Sequence, residues 1–249
     1  MDRPDPRRLD LRASLRNPLG DWLVRVPRQR SEITVHVIVD VSPSMHFGQE
    51  QPKLLVVAHF VEALGQAASR AGDALAMMAF GANAEADLFI PASRSKGIGQ
   101  EMARRLRTYQ SRSRSRGPRA VPRSLLETLD GLAHRDGLVF LVSDFHWNLE
   151  ALEVALDRLP RATVVPLIVW DPAEIEAPVH DGVALLWDAE SGASRTLWIR
   201  PKLREQWLQA VARRRIELET IFRARAIRPF YVCGRFDPDA LTRYFVEYT

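Results

Sequence analysis

The sequence predicts an α/β fold: a doubly wound, mainly parallel sheet with helices on both faces and one short antiparallel edge strand. Three observations point there. The runs Ile33–Val39 and Gly137–Val142 are apolar and rich in β-branched residues, as strands buried on both faces of a sheet are. Strand-like runs alternate with stretches of helical period along the whole chain, the pattern of a parallel sheet covered on both sides. No internal repeat or linker divides the 249 residues. The expected organisation is therefore an extended N-terminal arm over 1–31 and one domain over 32–249.

The elements follow in order. The arm is rich in Arg and Pro, with Trp22-Leu23-Val24 expected to dock on the body. The first strand runs from about Glu32 to Asp40. Gln51-Pro52-Lys53 opens a helix, Pro52 sitting where its missing N–H is harmless. Leu54, Val57, Ala58, Val61 and Leu64 give that helix an apolar stripe, and Gly72 ends it as a C′ glycine does. Ala74–Phe80 is a second buried strand, and Ala86–Ile90 the short antiparallel edge strand, since little chain separates the two. Gly99–Tyr109 is an amphipathic helix, Ser111–Arg123 a basic loop and Ser124–His134 another helix. Gly137–Asp144 repeats the opening theme of an apolar strand ending in hydroxyl and carboxylate. Leu149–Leu159 is helical and Ala162–Trp170 a strand. Leu185-Leu186-Trp187 and Thr196-Leu197-Trp198 flank Glu190-Ser191-Gly192 as a hairpin. Pro201–Arg225 is the longest helix, with Leu203, Trp207, Val211, Leu218 and Phe222 inward. Arg228–Cys233 is the last strand and Pro238–Tyr248 the closing helix.

Composition narrows the function classes. Thirty-five Lys+Arg against 31 Asp+Glu leave a formal charge of +4, so no general case for nucleic acid exists and any basic footprint must be local. Lysine occurs only at Lys53, Lys96 and Lys202. Cys233 is the single cysteine, which excludes an intrachain disulfide and a thiolate zinc site; its apolar neighbours suggest an inert buried thiol. Met1–Arg8 lacks the apolar core of a signal peptide, and no apolar run approaches the roughly 20 residues of a membrane span. A cytoplasmic protein is expected. No G-x-x-x-x-G-K-[ST] occurs, so any ATPase must be a separate partner.

The chemistry concentrates at Asp40-Val41-Ser42-Pro43-Ser44. One carboxylate and two hydroxyls, two residues apart, stand in the loop at the carboxyl end of a parallel strand, where open α/β sheets bind ligands. Three hard oxygens suit Mg²⁺. Asp144 ends the later strand in the same way. His46 and His146 are read as rim residues, because hard cations prefer oxygen. A serine hydrolase using Ser42 or Ser44 is the competing class; against it, no G-x-S-x-G elbow surrounds the serines. Arg112, Arg114, Arg116 and Arg119 alternate with serines in the basic loop. A nucleic-acid-binding loop is the further alternative, but no aromatics interleave to stack bases, and arginine suits the carboxylates of an acidic partner. Arg213-Arg214-Arg215 is read as a solvated helix face, and the tryptophans as core.

The D-x-S-x-S pattern resembles the metal-ion-dependent adhesion site of von Willebrand factor A domains, and further stretches resemble the bacterial DUF58 branch of that superfamily. Arg8-Leu9-Asp10-Leu11-Arg12-Ala13-Ser14 is similar to the family's R-x-I-D-W-R-A-S. Gly72-Asp73-Ala74-Leu75 resembles its G-D-x-V/L step, Leu141-Val142-Ser143-Asp144-Phe145 its L-x-S-D-F strand end, and Asp171-Pro172-Ala173-Glu174 its D-P-x-E. Glu190-Ser191-Gly192 corresponds to a D-P-E-T-G turn. These lie in order along the chain.

The resemblance implies a von Willebrand factor A-like fold and a non-enzymatic adaptor that works with a MoxR-type AAA+ ATPase. Its role would be the maturation or metal insertion of a client protein. One soluble, MxaS-like member belongs to methanol dehydrogenase gene clusters, where the client is a quinoprotein dehydrogenase, and this chain looks like the soluble form. A complete adhesion site of the family adds a Thr. On the family register Ala120 stands in its place, leaving Asp40, Ser42, Ser44 and Asp144 as an incomplete metal set. Weak or absent Mg²⁺ binding is the expectation, with an arginine of the basic loop reaching Asp40 or Asp144 to occupy the cation's place.

Overall fold

The computed structural model describes residues 32–81, 85–112, 121–132, 135–177, 182–187 and 194–247. Ile33–Thr249 forms one compact unit; the expected arm over 1–31 lies outside the described residues.

Six strands make the main sheet: β1 (Thr34–Asp40), β2 (Ala74–Phe80), β3 (Ile90–Ser93), β4 (Gly137–Ser143), β5 (Ala162–Trp170) and β8 (Phe230–Cys233). Their order is β3-β2-β1-β4-β5-β8. β1, β2, β4, β5 and β8 are parallel to one another, and β3 runs antiparallel at the edge. β6 (Gly182–Trp187) and β7 (Ser194–Ile199) form a separate antiparallel hairpin, whose expected Glu190-Ser191-Gly192 turn lies outside the described residues. The helices are α1 (Lys53–Ala71), α2 (Glu85–Leu88), α3 (Ile98–Arg112), α4 (Val121–Asp130), α5 (Glu150–Asp157), α6 (Pro172–Ile175), α7 (Pro201–Arg223) and α8 (Pro238–Val246).

Alternation along the strands divides the core between two faces. Val35, Val37 and Val39 of β1 pack with Leu54 and Phe60 of α1, Met102 and Leu106 of α3, and Leu241 of α8. Ile38, between them, packs on the other face with Leu125 of α4, Leu152 of α5 and Phe222 of α7. This is the doubly wound sheet that the strand–helix alternation predicts. β1 and β4 lie side by side, yet the chain leaves β1 towards β2 and leaves β4 towards β5. The crevice at their carboxyl ends is therefore the topological switch point, where such folds bind.

Three expectations need correction. The edge strand is not Ala86–Ile90: Glu85–Leu88 is a helical turn, and pairing runs from Ile90 to Ser93. Glu, Ala and Leu favour helix, and Pro91 is tolerated because an edge strand need not donate on its outer side. Cys233 is exposed rather than buried, since β8 is itself an edge strand. Burial of its surroundings and the carboxylates of Glu176, Asp171 and Glu174 nevertheless push its thiol pKa up, away from the reactive thiolate. Finally, α7 buries only Leu218 and Phe222 fully, while Leu203, Trp207 and Val211 are half-buried.

Candidate functional site at the carboxyl edge of β1 and β4

Asp40 ends β1 with 0% of its surface exposed. The Ser42 N–H donates to its Oδ1 at 2.8 Å. Pro43 then starts a single 3₁₀ turn, Pro43–His46, which brings Ser42 Oγ within 3.2 Å of Ser44 Oγ. β4 delivers Ser143 and Asp144, both 0% exposed. Ser143 Oγ donates to Asp40 Oδ2 at 2.6 Å and thereby ties the two strand ends together. Phe145 adopts φ 54°, a left-handed conformation that costs a non-glycine residue about 1–2 kcal/mol. The resulting turn lets the Phe145 N–H donate to Ser143 Oγ (2.8 Å) and the His146 N–H to Asp144 Oδ1 (3.1 Å). Asp40, Ser42, Ser44 and Asp144 thus lie together at the ends of β1 and β4.

The side chains that complete the cluster are not those expected. Lys53, the first residue of α1, is 1% exposed. Its ammonium donates to Asp144 Oδ2 at 2.6 Å and to Glu174 Oε1 at 2.5 Å. Glu174 sits on α6, where it forms a capping box with Asp171. The Trp147 indole N–H donates to Asp40 Oδ2 at 3.1 Å. Trp170 and Trp207 donate to the backbone carbonyls of Asp144 and Glu174, at 2.9 and 2.8 Å. These tryptophans do more than fill core: each aims its one polar atom at a site residue. Arg214 is likewise no free surface cation, because its guanidinium holds the Trp147 carbonyl at 2.8 Å.

The sequence carried a signal for Lys53. A cation in the first turn of a helix opposes the macrodipole, so a lysine there needs compensating carboxylates. No comparable local signal marks Trp147, whose target lies 107 residues away.

His146 stacks on Trp170, with its Nε2 3.8 Å from Glu174 Oε1, closer to the chemistry than a rim residue. His46 packs on Tyr109 at 5.6 Å between rings. The basic loop expected over Ser111–Arg123 is shorter than that: Ser111 and Arg112 end α3 and Arg123 lies in α4, paired with Glu127 at 2.9 Å, while Arg114, Arg116, Arg119 and Ala120 lie outside the described residues.

The pKa values of the two aspartates are shifted in opposite directions. Burial, with the neighbouring Asp144 carboxylate, pushes the pKa of Asp40 up to about 6 against the help of Ser143 and Ser42. Burial also resists ionisation of Asp144, but Lys53, His146 and a Ser44 hydrogen bond hold its carboxyl below the usual range. For Lys53, burial works against the charge and the carboxylates of Asp144 and Glu174 overcome it, so its pKa is raised. Glu174 is lowered despite burial, through His146 and Lys53.

This arrangement does not fit a divalent ion on Asp144. Both Asp40 oxygens and both Asp144 oxygens already accept hydrogen bonds. Oδ2 of Asp40 accepts two, which is its full capacity. Among the described residues the cation beside Asp144 is the ammonium of Lys53 on α1; Arg114, Arg116 and Arg119, the expected sources of a guanidinium, lie outside them.

The profile of the family described as "Protein of unknown function DUF58" matches residues 4–217. Uncharacterised proteins of Mycobacterium tuberculosis and Mycobacterium bovis are 30% identical over 201 residues, covering 79% of this chain and 59% of theirs. The chain thus spans about three fifths of the length of these relatives. Among solved structures, a conserved hypothetical protein BatB from Bacteroides thetaiotaomicron superposes with a TM-score of 0.45 at 16% identity, over 86% of this chain and 98% of that one. The SpRpn10 VWA domain gives 0.44 at 9% identity, over 86% and 95%.

Proposed function

Because the chain belongs to the DUF58 family, we propose that it is a non-enzymatic adaptor that presents the carboxyl edge of β1 and β4 to an acidic group on a partner. The observation that carries this reading is how the hydroxyls are used. Ser42 Oγ meets Ser44 Oγ, Ser143 Oγ holds Asp40, and Ser44 bonds Asp144. Among the described residues none of these serines hydrogen-bonds an imidazole, whereas a serine hydrolase pairs its nucleophile with a base, and this supports the non-enzymatic reading. Phe47, directly after the 3₁₀ turn, leaves 43% of its surface exposed and offers a contact of the kind that anchors interfaces. No helix among the described residues is long and apolar enough to cross a membrane.

The partner in this reading is a MoxR-type AAA+ ATPase. Its action on a client, such as a quinoprotein dehydrogenase during maturation or metal insertion, would be guided by the adaptor in the cytoplasm. Arg112, Arg114, Arg116 and Arg119 would supply further contacts to acidic side chains. Purified protein assayed against an ester panel, beside Ser42→Ala and Ser44→Ala, tests the non-enzymatic part. The expected result is no turnover in any of the three; turnover lost in one serine variant would replace the adaptor by a hydrolase.

A further inference from the structure

We propose that Lys53 is the built-in cation of this site: its ammonium stands between Asp144 and Glu174 in place of a divalent metal ion, and a metal site opens only when Lys53 is removed. The inference concerns no partner, so it stands or falls apart from the adaptor reading.

Position, contacts and spare ligands all support it. Lys53 is buried, 1% exposed, with its ammonium 2.6 Å from Asp144 Oδ2 and 2.5 Å from Glu174 Oε1. A divalent ion on either oxygen of Asp144 would stand within a few ångströms of the ammonium on Oδ2, and two cations that close on one buried carboxylate repel strongly. The location of the lysine is costly in itself. It stands at the start of α1, whose first turn has no acidic residue, against the positive end of the helix dipole. The two carboxylates that offset this lie 91 and 121 residues away in sequence. A compact ammonium suits this place better than a planar guanidinium.

Behind the ammonium is a donor set a metal could use. Asp144, His146 and Glu174 offer ligand atoms within 4.8 Å of one another, and the Lys53 nitrogen already contacts two of the three. Removing the ammonium leaves two carboxylates and an imidazole around the space it filled, a mixed oxygen and nitrogen set that suits Mn²⁺.

The test titrates Mn²⁺ into the full chain, wild type and Lys53→Met, following free Mn²⁺ by electron paramagnetic resonance and Tm by differential scanning fluorimetry. Wild type is expected to leave Mn²⁺ free and its Tm unmoved. Lys53→Met is expected to lose Tm in chelator, to regain part of it in Mn²⁺, and to bind one ion at least about tenfold more tightly than wild type. Asp144→Asn in the Lys53→Met background should remove that binding. Micromolar Mn²⁺ binding by wild type, or a folded Lys53→Met that binds no better than wild type, would overturn the proposal. Should Lys53→Met not fold, nitrogen-15 spectra of wild-type lysine ammonium groups decide. A protected Lys53 signal unmoved by excess Mg²⁺ supports the proposal, and one displaced by Mg²⁺ overturns it.

Discussion

Burial disfavours the charge of Asp40, and its pH dependence has a definite sign. Burial raises its pKa from 3.8 to about 6. The unfolded chain therefore releases this proton first, and stability contributed by protonated Asp40 is present below pH 3.8 and lost as pH rises through about 6. The full loss is about 3 kcal/mol for a shift of this size. Asp144 acts oppositely: its folded pKa is depressed, so its contribution is present above its unfolded value and lost as pH falls through its folded one. Asp40→Asn should therefore flatten the fall of Tm between pH 4 and 7 relative to wild type. Parallel Tm profiles for the two proteins would show that Asp40 is not the titrating group. Trp147→Phe keeps the ring against Phe145 and Phe80 but removes the N–H on Asp40 Oδ2. It should cost about 1–3 kcal/mol in a urea titration, the range for losing a hydrogen bond to a charged group, with Ser143 Oγ still donating to Asp40 Oδ2.

At this scale the sequence shows one half of the site and hides the other. Asp40, Ser42, Ser44 and Asp144 are legible because each pair sits within a few residues of a strand end, where local pattern and topology coincide. Lys53 and Glu174 reach the site from other elements, so their partners are not legible even though the position of Lys53 calls for carboxylates. Trp147, in the loop after β4, reaches across to Asp40, 107 residues away. The helix start at Lys53 was legible, but not which way its side chain would turn.

Among the elements, the strands were the easiest to read. Those of the parallel sheet are uninterrupted apolar runs, whereas the edge strand β3 is short and half exposed and could be misplaced by several residues. Helix packing depends on contacts that no periodicity reveals. Gly65 of α1 lies so close to Gly99 of α3 that a Cβ on Gly65 would come 2.5 Å from the Gly99 Cα. Gly65→Ala should thus destabilise by about 1–3 kcal/mol through overpacking, although alanine alone favours helix by about 1 kcal/mol. A gain in stability on chemical denaturation would mean that α1 and α3 separate easily.

For the whole molecule, the switch point between β1 and β4 joins fold to function. The sheet places two aspartates side by side, the loops after β1, β4 and β5 surround them, and α1 brings a lysine into the cluster. An edge already neutralised in part from within is suited to holding a partner, and the exposed Phe47 ring beside it is suited to reading one. The direct measurement is a calorimetric titration of this protein with a MoxR-type AAA+ ATPase of the same organism, in chelator, using wild type and Phe47→Asp. The account predicts that wild type binds without metal. Phe47→Asp should keep its Tm but bind at least about tenfold more weakly, a loss of roughly 1.4 kcal/mol or more. No binding by wild type, or equal binding by both proteins, would contradict it.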